Sequence, residues 1–250
     1  MPEDGYLKGV VLCGGLGKRL EPLTRITNKH LLPVYNRPMV FYPIHTLVEA
    51  GIKDIMIVTG GNNAGDFLRL IGNGSEFGLR HINYTYQRGE GGIAEALGLT
   101  EHFVDRSKVV VILGDNLIGG SIKKYVQRFK KQENGARVLI KEVSDPHRFG
   151  VAEINEGRII SIAEKPKKPK SNYVITGIYM YDHKVFDIVR TLKPSRRGEL
   201  EITDVNNAYL KNNQLYYDIL DCWWTDCGMP ETLYRATALM RKKLLREDKE

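Results

Sequence analysis

The chain has 250 residues, with 37 Lys and Arg against 30 Asp and Glu, a formal net charge of +7 and three cysteines. This length can bury the core of one α/β domain or two small ones, the charge favours anionic partners, and an odd cysteine count without zinc-ligand spacing argues against a disulfide framework or a structural metal site. No signal-peptide core opens the sequence and no apolar run approaches the roughly 20 residues that cross a bilayer, so a cytoplasmic protein working away from membranes is expected.

Val10, Val11 and Leu12 form an apolar run without helical periodicity, as expected of a parallel strand covered on both faces. The run empties into Gly14, Gly15 and Gly17, which can take positive φ and let backbone N–H groups approach an anion, so the loop reads as a phosphate cradle. Lys18, Arg19 and Lys29 would supply countercharge. A Rossmann fingerprint fails because Leu20 stands where the third glycine belongs, and a Walker A loop fails because Arg19, not Ser or Thr, follows Lys18. A plain glycine turn is the alternative, and three cations in one loop weigh against it.

A helix is expected from Pro38, kinked at Pro43 and stopped by Gly51, with Val40, Ile44, Leu47 and Val48 on one face. Strands are expected at 55–58 and 82–86, with a short helix over 66–71 between them closed by Gly72. The second of these strands ends at Gln87 in a loop containing Gly89, Gly91 and Gly92, and a helix over 93–103 should follow. Ligands of open α/β sheets bind outside the carboxyl ends of strands, so Gln87 could read a base edge; a polar turn is the rival. The apolar run 109–113 delivers Gly114, Asp115 and Asn116 at the sheet rim, where Asp115 could help to hold Mg²⁺ or cap the next turn.

After a helix over 121–131, strands at 138–143, 151–154, 159–162 and 174–181 should extend the same sheet, and a helix opened by Thr203 or Asp204 should run to about Lys211. Of the basic run 165–170, Lys167, Lys168 and Lys170 read as a solvated loop. Trp223 to Gly228 repeats the order apolar strand, carboxylate, glycine, with Asp226 as the acid, and a helix over 231–246 closes the chain. No hexapeptide repeat follows.

The string Gly14-Gly15-Leu16-Gly17-Lys18-Arg19-Leu20, with Asn28-Lys29 and Leu31-Leu32-Pro33-Val34, resembles the signature of sugar-1-phosphate nucleotidyltransferases, and the resemblance covers almost the whole chain. It implies an α/β fold with a mostly parallel central sheet and helices on both faces, in a single domain over 1–250. The nucleotide-binding part would span about 7–135, the sugar-phosphate part about 136–228, and a C-terminal helix about 230–246. Leu12, Gly14, Gly15, Gly17, Lys18, Arg19, Lys29, Gln87, Gly92 and Asp115 would bind nucleotide, with Gln87 and Gly92 at the base. Asn116, Glu164, Lys165 and, weakly, Arg197 would bind the sugar phosphate, with the backbones of Gly150 and Val174 lining the pocket. Asp115 and Asp226 would hold Mg²⁺, and with Arg19, Lys29 and Lys165 they would form the catalytic set.

Four positions depart from the family pattern: Lys18, Cys227 and Met229 stand where Thr is usual, and Phe149 where Tyr is usual. The thymidylyl-transferring members are the nearest match, which implies dTTP and glucose 1-phosphate as substrates and a homo-oligomer, dimer or tetramer, with no nucleic-acid or membrane partner. Two other readings stand beside it: UTP as the donor, or a catalytically silent nucleotide-sugar sensor.

Overall fold

The computed structural model describes residues 6–247. In chain order the strands and helices are β1 (Leu7–Cys13), β2 (Pro33–Val34), β3 (Arg37–Pro38), α1 (Phe41–Glu49), β4 (Ile55–Gly60), α2 (Ala64–Ile71), β5 (Ile82–Gln87), α3 (Ile93–Gly98), α4 (Glu101–Val104), β6 (Lys108–Leu113) and β7 (Asn116–Ile118). The second half adds α5 (Lys123–Lys131), β8 (Ala136–Glu142), β9 (Gly150–Asn155), β10 (Arg158–Glu164), β11 (Tyr173–Tyr181), α6 (Val185–Thr191), α7 (Ile202–Lys211), β12 (Leu215–Ile219), β13 (Trp224–Asp226) and α8 (Pro230–Glu247).

Nine strands form one sheet in the order β10-β9-β11-β6-β1-β4-β5, with β8 also on β11 and β12 outside β8. Strands β1, β4, β5 and β6 pair in parallel, while β11 runs against β6, β8 and β9 and β10 runs against β9. Seven strands therefore share one direction and only β10 and β11 oppose it, which is the mostly parallel sheet expected. Alternation along β1 feeds both faces. Val11 and Cys13 join α1, α2 and α5 in one apolar cluster, and Val10 and Leu12 join α3, α6 and α7 in the other. A third cluster packs α8, through Ala236 and Met240, onto Val34, Met39, Leu117 and Cys227.

Several boundaries moved for physical reasons. Helix α1 starts at Phe41 rather than Pro38, so Pro43 falls in its first turn, where a missing N–H costs nothing. The helix expected over 93–103 breaks at Leu99 and Thr100, where the Thr100 hydroxyl donates to the Leu97 carbonyl at 2.7 Å. Helix α7 opens on extended Glu201 rather than on Thr203 or Asp204, and the Thr203 hydroxyl is spent elsewhere. Strands β4 and β5 each run past their apolar cores, so that Gly60 pairs with Gln87 at the sheet rim. Helix α6 and strand β12 had no counterpart in the sequence reading. Strand β11 shifts register against β8 between Ile175 and Tyr179, which turns the Gly177 N–H toward Asn116.

Candidate active site

The carboxyl ends of β1, β5 and β6 open into a cleft of about 530 Å³ that reaches across to β10 and β11. The glycine loop forms one wall. Gly15 at φ 89° and Gly17 at φ 66° take the left-handed backbone their lack of Cβ permits, whereas Gly14 is needed for space: a Cβ there would stand 2.4 Å from the Gln87 amide oxygen. The Leu16 N–H points into the cleft, where the Glu90 carboxylate accepts from it at 3.3 Å, and the same carboxylate pairs with Lys18 at 3.1 Å. Lys18 thus links the two glycine loops through its charge on Glu90.

Two carboxylates meet at the rim although they come from distant parts of the sequence. Gly114 lets Asp115 follow β6 closely under Cys13 and His30, since a Cβ at Gly114 would stand 2.6 Å from the Cys13 sulfur. Strand β13 then pairs with β7, placing Asp226 opposite Asn116, and the Cys227 N–H donates to the Asp115 carbonyl at 2.8 Å. Cys227 itself is buried, so at this position the backbone, not the side chain, serves the site.

Each acid has its own cation. Lys29 reaches Asp115 at 2.5 Å and Arg148 reaches Asp226 at 3.1 Å. Burial opposes ionisation of Asp115, yet the Lys29 ammonium and the hydrogen bond from Asn116 hold its carboxyl well below the usual range. Asp226 is raised instead, by burial first and by the charge of Asp115 second, against the pull of Arg148 and Arg19. Burial, then the Lys29 ammonium, push His30 down to about 3, so its ring is neutral and its Nδ1–H donates to Asn28.

Arg19 makes no ion pair among the described residues; its guanidinium sits 3.0 Å from where a Gly228 Cβ would be, and any side chain there would strike it. On the opposite wall Glu164 accepts from the Thr203 hydroxyl at 2.5 Å and lies 3.6 Å from Lys165, whose backbone is held at φ 42° by its N–H bond to Phe149. Gly150 lines this wall, and a Cβ on it would meet the Thr203 hydroxyl at 3.2 Å.

Four expected residues are placed differently from the sequence reading. Val174 is fully buried in the core; the neighbours that line the cleft are Ile175 and Gly177. Asn116 lines the cleft but is committed internally: its amide oxygen accepts from Trp224 at 2.7 Å and from Gly177 at 3.1 Å, and its amide nitrogen donates to Asp115 at 2.8 Å. It positions the acid. Arg197 is gripped by Glu201 at 2.7 Å, Glu199 at 3.2 Å and Glu164 at 3.6 Å, which occupies its charge. Gln87 is buried with its amide nitrogen already bonded to the Gly92 carbonyl, so it offers the cleft an acceptor rather than both donor and acceptor.

Arg148, Glu90 and Glu95 escaped the sequence reading. Arg148 lies in a polar turn that no periodicity marks; its place beside Phe149 and Gly150 was the available signal. The Phe149 ring packs under the Arg148 guanidinium at 5.2 Å and edge-on to Trp224 at 5.1 Å, so the missing phenolic hydroxyl is replaced by packing.

The family model for nucleotidyl transferases matches residues 8–243. A glucose-1-phosphate thymidylyltransferase of Neisseria meningitidis is 42% identical over 239 residues, covering 94% of this chain and 83% of its own length, and one from Actinoplanes sp. is 42% identical over 94% of this chain and 78% of its own. Among solved structures, a Bacillus anthracis protein provisionally named as a glucose-1-phosphate thymidylyltransferase, in complex with sucrose, superposes with a TM-score of 0.91 at 52% identity, over 94% of this chain and 95% of that one. A UDP-glucose pyrophosphorylase complexed with UDP-glucose gives 0.84 at 25% identity, over 94% and 98%.

Proposed function

Because the chain belongs to the nucleotidyl transferase family, we propose that it transfers dTMP from dTTP to glucose 1-phosphate, giving dTDP-glucose and pyrophosphate. The observation that carries this reading is the meeting of Asp115 and Asp226, each with its own cation, between a glycine loop suited to a triphosphate and a wall built from Gly150, Glu164 and Lys165. Lys29 and Arg148 neutralise the acids in the free protein and stand ready to face phosphate oxygens.

The donor set fits Mg²⁺, which commonly takes one or two carboxylates and completes its shell with water and substrate phosphate. Asp115 and Asp226 would hold the ion, and the raised Asp226 is the carboxyl that gains most from a nearby cation. When bound, the ion supplies neutralisation of the triphosphate charge.

The remaining work falls to the chain's own groups. A phosphate oxygen of glucose 1-phosphate attacks the α-phosphorus in line, the bond to the bridging oxygen breaks, and pyrophosphate leaves without a covalent enzyme intermediate. Such chemistry needs alignment and fixed countercharge rather than a nucleophilic side chain. Arg19, which makes no ion pair among the described residues, meets the leaving pyrophosphate; Lys29 and Lys165 meet the reacting phosphates; Glu164, held by Thr203, accepts from sugar hydroxyls. Side-by-side kinetics with dTTP and UTP test the donor, dTTP being the faster. The same reading carries the expectation of a cytoplasmic homo-oligomer, dimer or tetramer, which sedimentation would check.

A further inference from the structure

Gln87 ends β5 at 4% exposure, and its amide nitrogen donates to the Gly92 carbonyl at 3.0 Å and to the Glu95 carboxylate at 2.7 Å. Both Nε2 hydrogens are therefore used. The amide oxygen lies over Gly14, in the glycine loop that lines the cleft. Turning the amide over would set its oxygen against a carboxylate and a carbonyl, with no proton between any of the three, so the neighbours dictate its orientation. Two glycines make room for this arrangement. A Cβ at Gly14 would stand 2.4 Å from the Gln87 oxygen, and one at Gly91 would stand 2.1 Å from the Glu95 carboxylate.

We propose that Glu95 is a positioning residue for nucleotide choice: by holding a hydrogen of the Gln87 amide it fixes that amide with its oxygen toward the cleft, as an acceptor only. The inference rests on the nucleotidyl-transfer reading above. An acceptor in this place suits a base whose reading edge carries a ring N–H. Thymine and uracil carry one at N3, whereas cytosine presents a lone pair there, and a lone pair facing the Gln87 oxygen leaves two buried acceptors unpaired.

The test measures kcat/KM for dTTP and CTP side by side, with Mg²⁺ and glucose 1-phosphate, in wild type, Glu95→Ala, Gly91→Ala and Glu95→Gln. Ala at 95 removes the acceptor, and Ala at 91 displaces it with its charge intact; either should shrink the dTTP-to-CTP ratio by roughly tenfold or more, because a freed amide can present its NH₂ to the cytosine edge. Gln at 95 still offers an acceptor and should keep most of the ratio. A merely structural role would lower both rates together, and an unchanged ratio in both Ala variants overturns the proposal. Nitrogen-15 spectra of the ligand-free protein give a readout independent of turnover: the Gln87 side-chain hydrogens should exchange slowly in wild type and fast in Glu95→Ala. Fast exchange in wild type overturns the proposal. A wild type that turns over no triphosphate would defeat the functional reading instead, leaving the amide spectrum to decide the role of Glu95.

Discussion

Asp226 pairs in register with Asn116, and that two-stranded contact sets its carboxyl close enough to Asp115 for the charge of one to raise the pKa of the other. Two acids remote in sequence thus share one rim, each balanced by a cation. Loss of either should lower kcat by on the order of 10² or more in Asp115→Asn and Asp226→Asn, because both are assigned to the Mg²⁺ site. Wild-type turnover in excess EDTA, or near-normal rates in one variant, would remove the metal or that carboxylate from the mechanism.

The two acids should act oppositely on stability. The lowered Asp115 contributes stability that is present above the ordinary aspartate value of about 3.9 and is lost as pH falls through its own lower value. The raised Asp226 does the reverse: its ionisation weakens the fold as pH climbs from about 3.9 through its higher folded value. Calorimetry at pH 7 should therefore find Asp115→Asn less stable than wild type, since Lys29 loses its partner, and Asp226→Asn equal or higher by about 2–4 °C for each kcal/mol recovered. The Asp226→Asn gain should fade in acid. Mg²⁺ should raise the wild-type Tm and leave that of Asp226→Asn nearly still. Equal losses in the two variants at pH 7 would contradict this assignment.

In the proposed reaction Arg19 and Lys165 would divide the phosphates between them. Arg19, without an ion pair among the described residues, would face charge that grows as pyrophosphate departs, so Arg19→Ala should depress kcat more than it raises the nucleotide KM. Lys165 lies beside Glu164 on the far wall, and Lys165→Ala should mainly raise the KM for glucose 1-phosphate. The reverse pattern in steady-state kinetics would exchange their roles.

Gly177 has a packing duty that can be measured without activity. A Cβ there would stand 2.6 Å from the Asn116 carboxamide, whose oxygen accepts from Trp224 and whose nitrogen supports Asp115. Gly177→Ala should cost about 1–3 kcal/mol as overpacking, read as a fall in the denaturation midpoint at unchanged slope. An unaltered midpoint would show that this contact yields easily.

Much of the site was legible because its parts sit where a strand ends. Val10 to Lys18, Val109 to Asp115 and Trp223 to Gly228 each join an apolar run to a glycine and a charged side chain, an order visible in the sequence itself. The pairing partners were not legible in this way. Arg148 lies in an irregular turn, Glu90 in a glycine loop and Glu95 on a short helix, and only the folded sheet brings them to Asp226, Lys18 and Gln87. The side chains along β11 were not legible either: neighbouring strand residues face opposite ways, and residue type does not say that Val174 is buried while Ile175 lines the cleft. The start of α1 was not legible: the helix begins at Phe41 rather than Pro38, and that places Pro43 in its first turn.

The decisive measurement for the proposed reaction is product identification after incubation with Mg²⁺, glucose 1-phosphate and each common nucleoside triphosphate in turn. With dTTP the products should be dTDP-glucose and pyrophosphate in equal amounts, with slower conversion of UTP, very little of CTP, and none in excess EDTA. Absence of any nucleotide sugar from every triphosphate, or undiminished synthesis by Asp115→Asn and Asp226→Asn, would contradict it.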